Sequence, residues 1–298
     1  LHDSPNQTIT GNTVAGRPVA FTVTSSLVSA GAYYRQRLTA NTADGRPIEW
    51  RMDLAGVTLD ARALAILAIV DSSNVTVENA SFSDGDPSLL IERSRDILVR
   101  FSTVTSASVG VGVVDSQRVA LENLTVSGGL TCINFTRGAD NRARDIQTTS
   151  CYNAVLTEGT EQNLLVERLN VTGRGRVAFF QGTNLTLRDS TITGTFEVGV
   201  TNRKRLYIVP PPPPSPPADP DANVEKAGTP EDIFLVRVRL AGVFIGVAAR
   251  DFAGLWLSEV TVTQAKEGLF ADGVDGLTIE NSSLGGGSYG LHVIDSTN

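Results

Sequence analysis

A period of about 22 residues runs from residue 75 to the end of the chain, and few folds can accommodate it. Units start at Val75, Ile97, Val119, Asn141, Leu164, Leu185, Ile233, Leu255 and Leu277, with gaps of 22, 22, 22, 23, 21, 48, 22 and 22. Two places after each start stands an aliphatic residue, from Val77 and Val99 to Leu257 and Ile279. Seven places after each start stands another apolar residue, from Phe82 and Val104 to Val262 and Leu284, with Thr148 the one exception.

Each start opens an alternating run such as Val75-Thr76-Val77, which is the pattern of a short strand with one buried face. A turn-prone residue follows, then a second alternation such as Ala80-Ser81-Phe82, and later a third run such as Val111-Gly112-Val113-Val114. Gly, Asp, Ser and Asn gather between the runs, where they supply turns. Three short strands in 22 residues leave no room for a helix. The expected fold is therefore all-β: a right-handed parallel β-helix of about nine to ten coils. Nine coils stacked at about 4.8 Å would stand about 43 Å tall.

Segments such as Val75-Thr-Val-Glu-Asn-Ala-Ser-Phe82 and Val119-Ala-Leu-Glu-Asn-Leu-Thr-Val126 resemble the right-handed parallel β-helix repeats of the pectate-lyase-like superfamily. That superfamily holds polysaccharide lyases, glycoside hydrolases, surface adhesins and non-catalytic structural domains, so the resemblance implies a fold before it implies an activity. Residues 1–60 break the period and are expected to form an N-terminal cap, including Tyr33 and Tyr34, and one atypical coil around Trp50, Met52, Leu54 and Val57. Residues 61–298 are expected to form the β-helix. Asp295-Ser-Thr-Asn298 resembles Asp71-Ser-Ser-Asn74, which immediately precedes a start. A further coil or a neighbouring subunit is accordingly expected at that end, with self-association as one form of it.

The register gives the charges an order. Three places after the first six starts stand Glu78, Arg100, Glu122, Arg144, Glu167 and Arg188, alternating in sign at every coil. Stacked outward, they would form a ladder whose main effect is to fix register, since a slipped coil would oppose like charges. A catalytic acid and base on a sugar-binding face is the competing reading.

Eight of the sixteen asparagines lie in Asn-X-Ser/Thr: Asn6, Asn74, Asn79, Asn123, Asn134, Asn170, Asn184 and Asn281. Glycosylation at several of them is expected and points outside the cell. The competing cause is repeat grammar, because Asn79, Asn123 and Asn281 share one repeat position. The two cysteines, Cys132 and Cys151, fall on neighbouring coils about three places out of register. A disulfide is expected, with two buried thiols as the alternative. No spacing of Cys or His marks a metal or cofactor site.

The 48-residue gap holds an insertion at about 206–231 containing Pro210, Pro211, Pro212, Pro213, Pro214, Pro216 and Pro217. Such a run adopts a stiff polyproline II helix and cannot join a strand ladder. It resembles the extensin-like modules of hydroxyproline-rich extracellular glycoproteins in plants and green algae. The resemblance implies hydroxylated prolines bearing short O-linked sugars.

A net charge of −7 opposes nonspecific nucleic-acid binding, and no apolar stretch reaches membrane-spanning length. Polygalacturonase-like hydrolases pair aspartates with His-Gly and Arg-x-Lys motifs, whereas here the only histidines are His2 and His292, neither followed by Gly. Asn202-Arg203-Lys204 does not reproduce Arg-x-Lys. Asp84 with Asp86, or Asp272 with Asp275, offer carboxylates to a calcium ion, yet Asp in Gly-rich turns is ordinary turn chemistry. The expected function is a non-catalytic extracellular structural glycoprotein, a rigid rod or assembly unit of a cell wall, matrix or surface fibre. Its partners would be attached glycans and neighbouring subunits. The alternatives are a polysaccharide lyase or hydrolase, and a glycan-binding adhesin.

Overall fold

The computed structural model describes residues 7–16, 21–22, 36–83, 85–106, 108–173, 175–194, 198–202 and 231–296. The chain winds as a right-handed parallel β-helix of about ten turns at a spacing of about 22 residues. Each regular coil lays down three strands. The first face stacks Ser73–Glu78 under Arg95–Thr105 and continues upward through Ala120–Ser127 and Arg142–Thr149. The second face stacks the positions around Phe82, Val104, Val126 and Val171. The third stacks Ile66–Val70, Leu89–Glu92, Val109–Val114, Thr131–Thr136 and Asn153–Glu158.

The corners explain the turn residues. In the coil of Val75, the three positive-φ residues are Asp71, Asn74 and Asn79, at 50°, 53° and 54°. The coil above repeats the bend at Arg93, Asp96 and Phe101, at 43°, 55° and 53°. One residue in the left-handed region turns the strand without lengthening the coil. Asn, Asp and Gly tolerate that conformation best, which is why they mark these positions through the sequence.

Inward positions stack like on like. Val75, Val77, Phe82, Leu89 and Ile91 meet Ile97, Val99, Val104, Val111 and Val113 one coil up, and all are at most 1 % exposed. They belong to one continuous apolar core running from Ala61 to Val274. Buried serines close the turns. Ser94 Oγ accepts the Ser72 N–H at 3.1 Å and donates to the Glu92 carbonyl at 2.8 Å; Ser116 repeats this one coil higher. At the next level Gly138 replaces the serine, and Glu161 from the coil above accepts the Gly138 N–H at 2.7 Å. A Cβ on Gly138 would meet the Ser116 carbonyl oxygen at 2.5 Å and Glu161 Oε2 at 2.8 Å, so the glycine makes room for the carboxylate.

The N-terminal segment departs from this grammar. Asn41–Ala43 and Arg46–Met52 form an antiparallel hairpin, and Arg46–Met52 with Ala55–Asp60 make a short first coil whose residues pair 18 places ahead. At the other end, Leu291 is 51 % exposed directly above the fully buried Leu269.

Candidate functional site

Asp and Arg occupy stacked corners, and there they pair. Arg93 Nε and Nη2 donate to the two Asp71 carboxylate oxygens at 2.8 and 2.9 Å. The same two-pronged contact joins Arg118 to Asp96 at 2.6 and 2.9 Å, and Arg137 to Asp115 at 2.7 and 3.0 Å. Arg168 grips Asp145 at 2.5 and 2.8 Å, and Arg237 grips Asp189 at 2.5 and 2.9 Å. In every case the acid is on the lower coil and the arginine on the upper. Both members of each pair have positive φ, so a long cationic side chain is held in a conformation it seldom adopts. The planar guanidinium matches the carboxylate edge to edge, which fixes coil against coil as a point charge could not. The Asp96, Asp145 and Asp189 carboxyls are held below their ordinary range by the hydrogen bonds from their arginines.

Two of these forks flank a groove of about 390 Å³ lined by Asp71, Ser72, Ser73, Arg93, Ser94, Arg95, Asp115 and Gln117. Beside it sits Glu92, fully buried on the outward side of the third face at the level of Val70 and Val114. An outer apolar cluster of Ala68, Val70 and Leu90, with Trp50, Met52 and Val114, lies on the same side. Glu92 Oε1 accepts from Arg93 Nη1 at 2.9 Å, while Oε2 is buried with no hydrogen-bond partner. Burial is the largest influence and pushes the carboxyl up to about 9, against the opposing pull of Arg93. Glu92 is therefore a neutral acid at pH 7. Glu161, also fully buried, is pushed up to about 7 by burial, less the help of hydrogen bonds from Asn141 and the Gly138 N–H.

Chemically, the groove offers hydroxyls, an exposed Arg95 and paired carboxylates. Asp71 and Asp115 stand two coils apart, about 9.6 Å by stack spacing. The Arg93 guanidinium occupies the level between them, where a hydrolytic pair would place water and substrate. Among the described residues, no group of three or more His, Cys, Asp or Glu side chains is placed to hold a metal ion. Asp86 accepts the Val109 N–H at 3.1 Å and Asp272 pairs with Arg250 at 2.5 Å, so each serves the coil stack. Asp84 lies outside the described residues.

Glu78, Arg100, Glu122, Arg144, Glu167 and Arg188 stand in one continuous register column. Arg100 bonds Glu78 at 2.8 Å, and Glu167 meets Arg144 at 3.5 Å and Arg188 at 2.9 Å. Glu122 turns instead to Arg142, at 2.9 Å. The column is thus a looser set of contacts than the corner forks. Replacing Asp145 by Asn should weaken coil docking by about 0.5–1 kcal/mol at pH 7 and by progressively less as the pH falls into the acid range, measured by urea unfolding. The sign follows from a lowered carboxyl: its contribution is present above the unfolded value and vanishes as pH falls through the folded one.

Cys132 and Cys151 form a disulfide with Cα atoms 5.7 Å apart. Cys132 lies in the strand Thr131–Thr136, and Cys151 follows Ser150, a turn residue with φ of 60°, so the bend brings the offset positions together. Replacing both cysteines by serine should cost about 3 kcal/mol, from the chain entropy of a loop of this length, read as a lower urea midpoint.

Asn74, Asn79, Asn123, Asn170, Asn184 and Asn281 are exposed. All but Asn170 occupy positive-φ corners, so the fold itself favours asparagine at five of the sequons. Asn134 is half-buried, and its Nδ2 donates to Glu158 at 3.4 Å. Asn6 and Pro210, Pro211, Pro212, Pro213, Pro214, Pro216 and Pro217 lie outside the described residues.

Residues 65–208 match the family model described as a right handed beta helix region. The surface protein and adhesin PfbA of Streptococcus pneumoniae superposes with a TM-score of 0.57 at 13 % identity, over 86 % of this chain and 80 % of that one. An alginate lyase from Paenibacillus sp. str. FPU-7 gives 0.42 at 10 % identity, over 80 % of this chain and 99 % of that one. No curated protein sequence matches the chain. Register, matched region and structural likeness agree on one fold for this chain, the right-handed parallel β-helix.

Proposed function

We propose that the protein is a non-catalytic extracellular structural glycoprotein, a rigid β-helical rod or assembly unit of a cell wall, matrix or surface fibre. The observation that carries this reading is the use of the corner carboxylates. Five aspartates that could have lined a reactive cleft are each clamped by an arginine from the coil above. With a single core threading the stack, such clamps favour stiffness. A surface location draws support from the likeness to PfbA, itself a surface protein and adhesin. Exposed sequons at Asn79 and Asn123, two coils apart along one corner, would carry sugars on the flank of the rod.

Glycopeptide mass spectrometry of the protein from its native source tests the location. Glycans on several exposed sequons and hydroxylated prolines among Pro210–Pro217 are the expected result. Bare asparagines and unmodified prolines throughout would remove the reading.

A carbohydrate-active enzyme is the second reading, and Glu92 is the observation that favours it. General acid catalysis on a glycosidic oxygen requires a carboxylic acid that keeps its proton at neutral pH, and Glu92 is one, buried behind the groove wall next to the groove-lining Arg93, which would have to move aside for it to reach a substrate. Release of reducing ends or unsaturated uronates from a polysaccharide, lost in Glu92→Gln, would establish it.

A further inference from the structure

One residue breaks the rule that explains the corners. The corner column between the first and second faces rises through Asn79, Phe101 and Asn123 to Asp145 and Arg168, all at positive φ. Asparagine and aspartate tolerate that conformation, and Arg168 is held in it by its fork with Asp145. Phe101, at 53°, is the one aromatic residue at positive φ among the described residues, and a bulky side chain there is strained. Burial does not compensate, because Phe101 is 55 % exposed. Outliers of this kind collect at sites where the backbone holds a group out for a ligand.

Both neighbours of Phe101 in its column are sequon asparagines. Asn79 stands one coil below and Asn123 one coil above, each about 4.8 Å away by stack spacing. Both are exposed, as are the sequon residues Ser81 and Thr125. Among the described residues no hydrogen bond engages either side-chain amide, whereas Asn184 Nδ2 donates to Asn163 at 2.8 Å and Asn134 Nδ2 to Glu158 at 3.4 Å. The two directions along the column are not equivalent. Arg100 stands over the Phe101 ring at 5.5 Å, and its Nε donates to Glu78 on the lower coil at 2.8 Å. That guanidinium is drawn toward the level of Asn79, which leaves the direction of Asn123 open.

We propose that Asn123 carries an N-linked glycan whose first sugar lies against the ring of Phe101. The inference rests on the reading of the protein as an extracellular glycoprotein, and it names the side chain that receives the sugar. In the attachment, Asn123 Nδ2 forms a bond to the anomeric carbon of an N-acetylated amino sugar, and the bond from that carbon to the diphosphate of a lipid-linked donor breaks. The diphosphate leaves with the electron pair, and the amide gives one proton to the transferring enzyme. One side of a pyranose presents C–H groups, so laying it on Phe101 removes apolar surface of both from water.

The test makes the full chain twice, secreted from a eukaryotic cell that N-glycosylates and exported to the periplasm of a bacterium that does not. Each is made as wild type and as Phe101→Leu, which keeps an apolar side chain at the corner and removes the ring. Glycopeptide mass spectrometry should find Asn123 occupied in the secreted chain. In urea, glycosylation should lower the unfolding constant of wild type about threefold more than that of Phe101→Leu, with sugars elsewhere cancelling in the comparison. Proton magnetic resonance should show the Asn123-linked sugar shifted upfield by the ring, and Phe101→Leu should abolish the shift. Equal effects of glycosylation in the two backgrounds, or a sugar with no ring shift, would overturn the proposal. A bare Asn123 beside occupied sequons in the same chain would overturn it too, while leaving the extracellular reading standing. Sequons bare throughout protein from the native source would remove that reading and the proposal with it.

Discussion

Replacing Phe135 by Ala is expected to lower the free energy of unfolding by about 3–5 kcal/mol, the largest effect of any single truncation in the central coils. Phe135 is fully buried, on the third face between Val113 below and Thr157 above. Thr157 is also fully buried, and its hydroxyl donates to the Gln181 carbonyl at 3.0 Å, so it cannot move into the space a missing ring leaves. Parallel ladders on both sides hold the backbone in register, which further prevents collapse of the cavity. The outward Thr125→Ala, by contrast, should change stability by no more than about 0.5 kcal/mol. Because each coil touches only its neighbours, the Phe135 defect should also divide the stack. Trp50 and Trp256 lie in the first and a late coil, and their fluorescence should then report two urea transitions where wild type gives one. Coincident transitions with an unchanged midpoint would show that this coil does not anchor the core.

Glu92 provides the second large effect, and its sign is opposite. Its folded-state value of about 9 lies above the ordinary glutamate value of 4.5, so the folded protein binds the proton more tightly than the unfolded chain does. Stability is then fully present below about pH 4.5 and falls as pH rises toward 9. The loss by pH 7 is on the order of 3 kcal/mol, one unit of pH costing about 1.4 kcal/mol. Glu161 adds a smaller decline between 4.5 and about 7. The aspartate forks act at the acid end, where protonation releases their arginines. Together these place the stability maximum near pH 4, between the unfolded values of aspartate and glutamate. Glu92→Gln should match wild type at pH 4.5 and exceed it at pH 8, because an amide has no proton to surrender. Parallel wild-type and Gln curves from pH 4.5 to 8 in urea titrations would contradict the burial argument.

How much of this was legible in the sequence depends on what each residue's neighbour is. The period located the core, since Val77, Val99 and Leu121 need only be apolar and in step. The corners were half legible. Asn79 and Asn123 announce a left-handed residue, but Arg93, Arg118, Arg137, Arg168 and Arg237 do not, because no local preference puts arginine there. Their reason is the aspartate 22, 23 or 48 positions earlier, a relation visible only when the coils are stacked. The six-residue column from Glu78 to Arg188 showed alternation, yet the tighter pairing lies at the corners. Glu92 was missed because outward positions default to solvent. Its one trace in the sequence is an acid in a column shared with Val70 and Val114. The Cys132–Cys151 bond needed the geometry of the bend at Ser150, which spacing alone does not supply.

The claim that this is a rod built for stiffness is tested most directly by pulling single molecules from their two ends in an optical trap. Extension should come in repeated steps, each releasing about one 22-residue coil, roughly 70 Å of contour at the reach of an extended chain. Steps should be largest in force where corner forks join the coils, and the Asp145→Asn, Asp189→Asn variant should lower that force. A single low-force opening of the whole stack, unchanged by loss of the forks, would contradict the account.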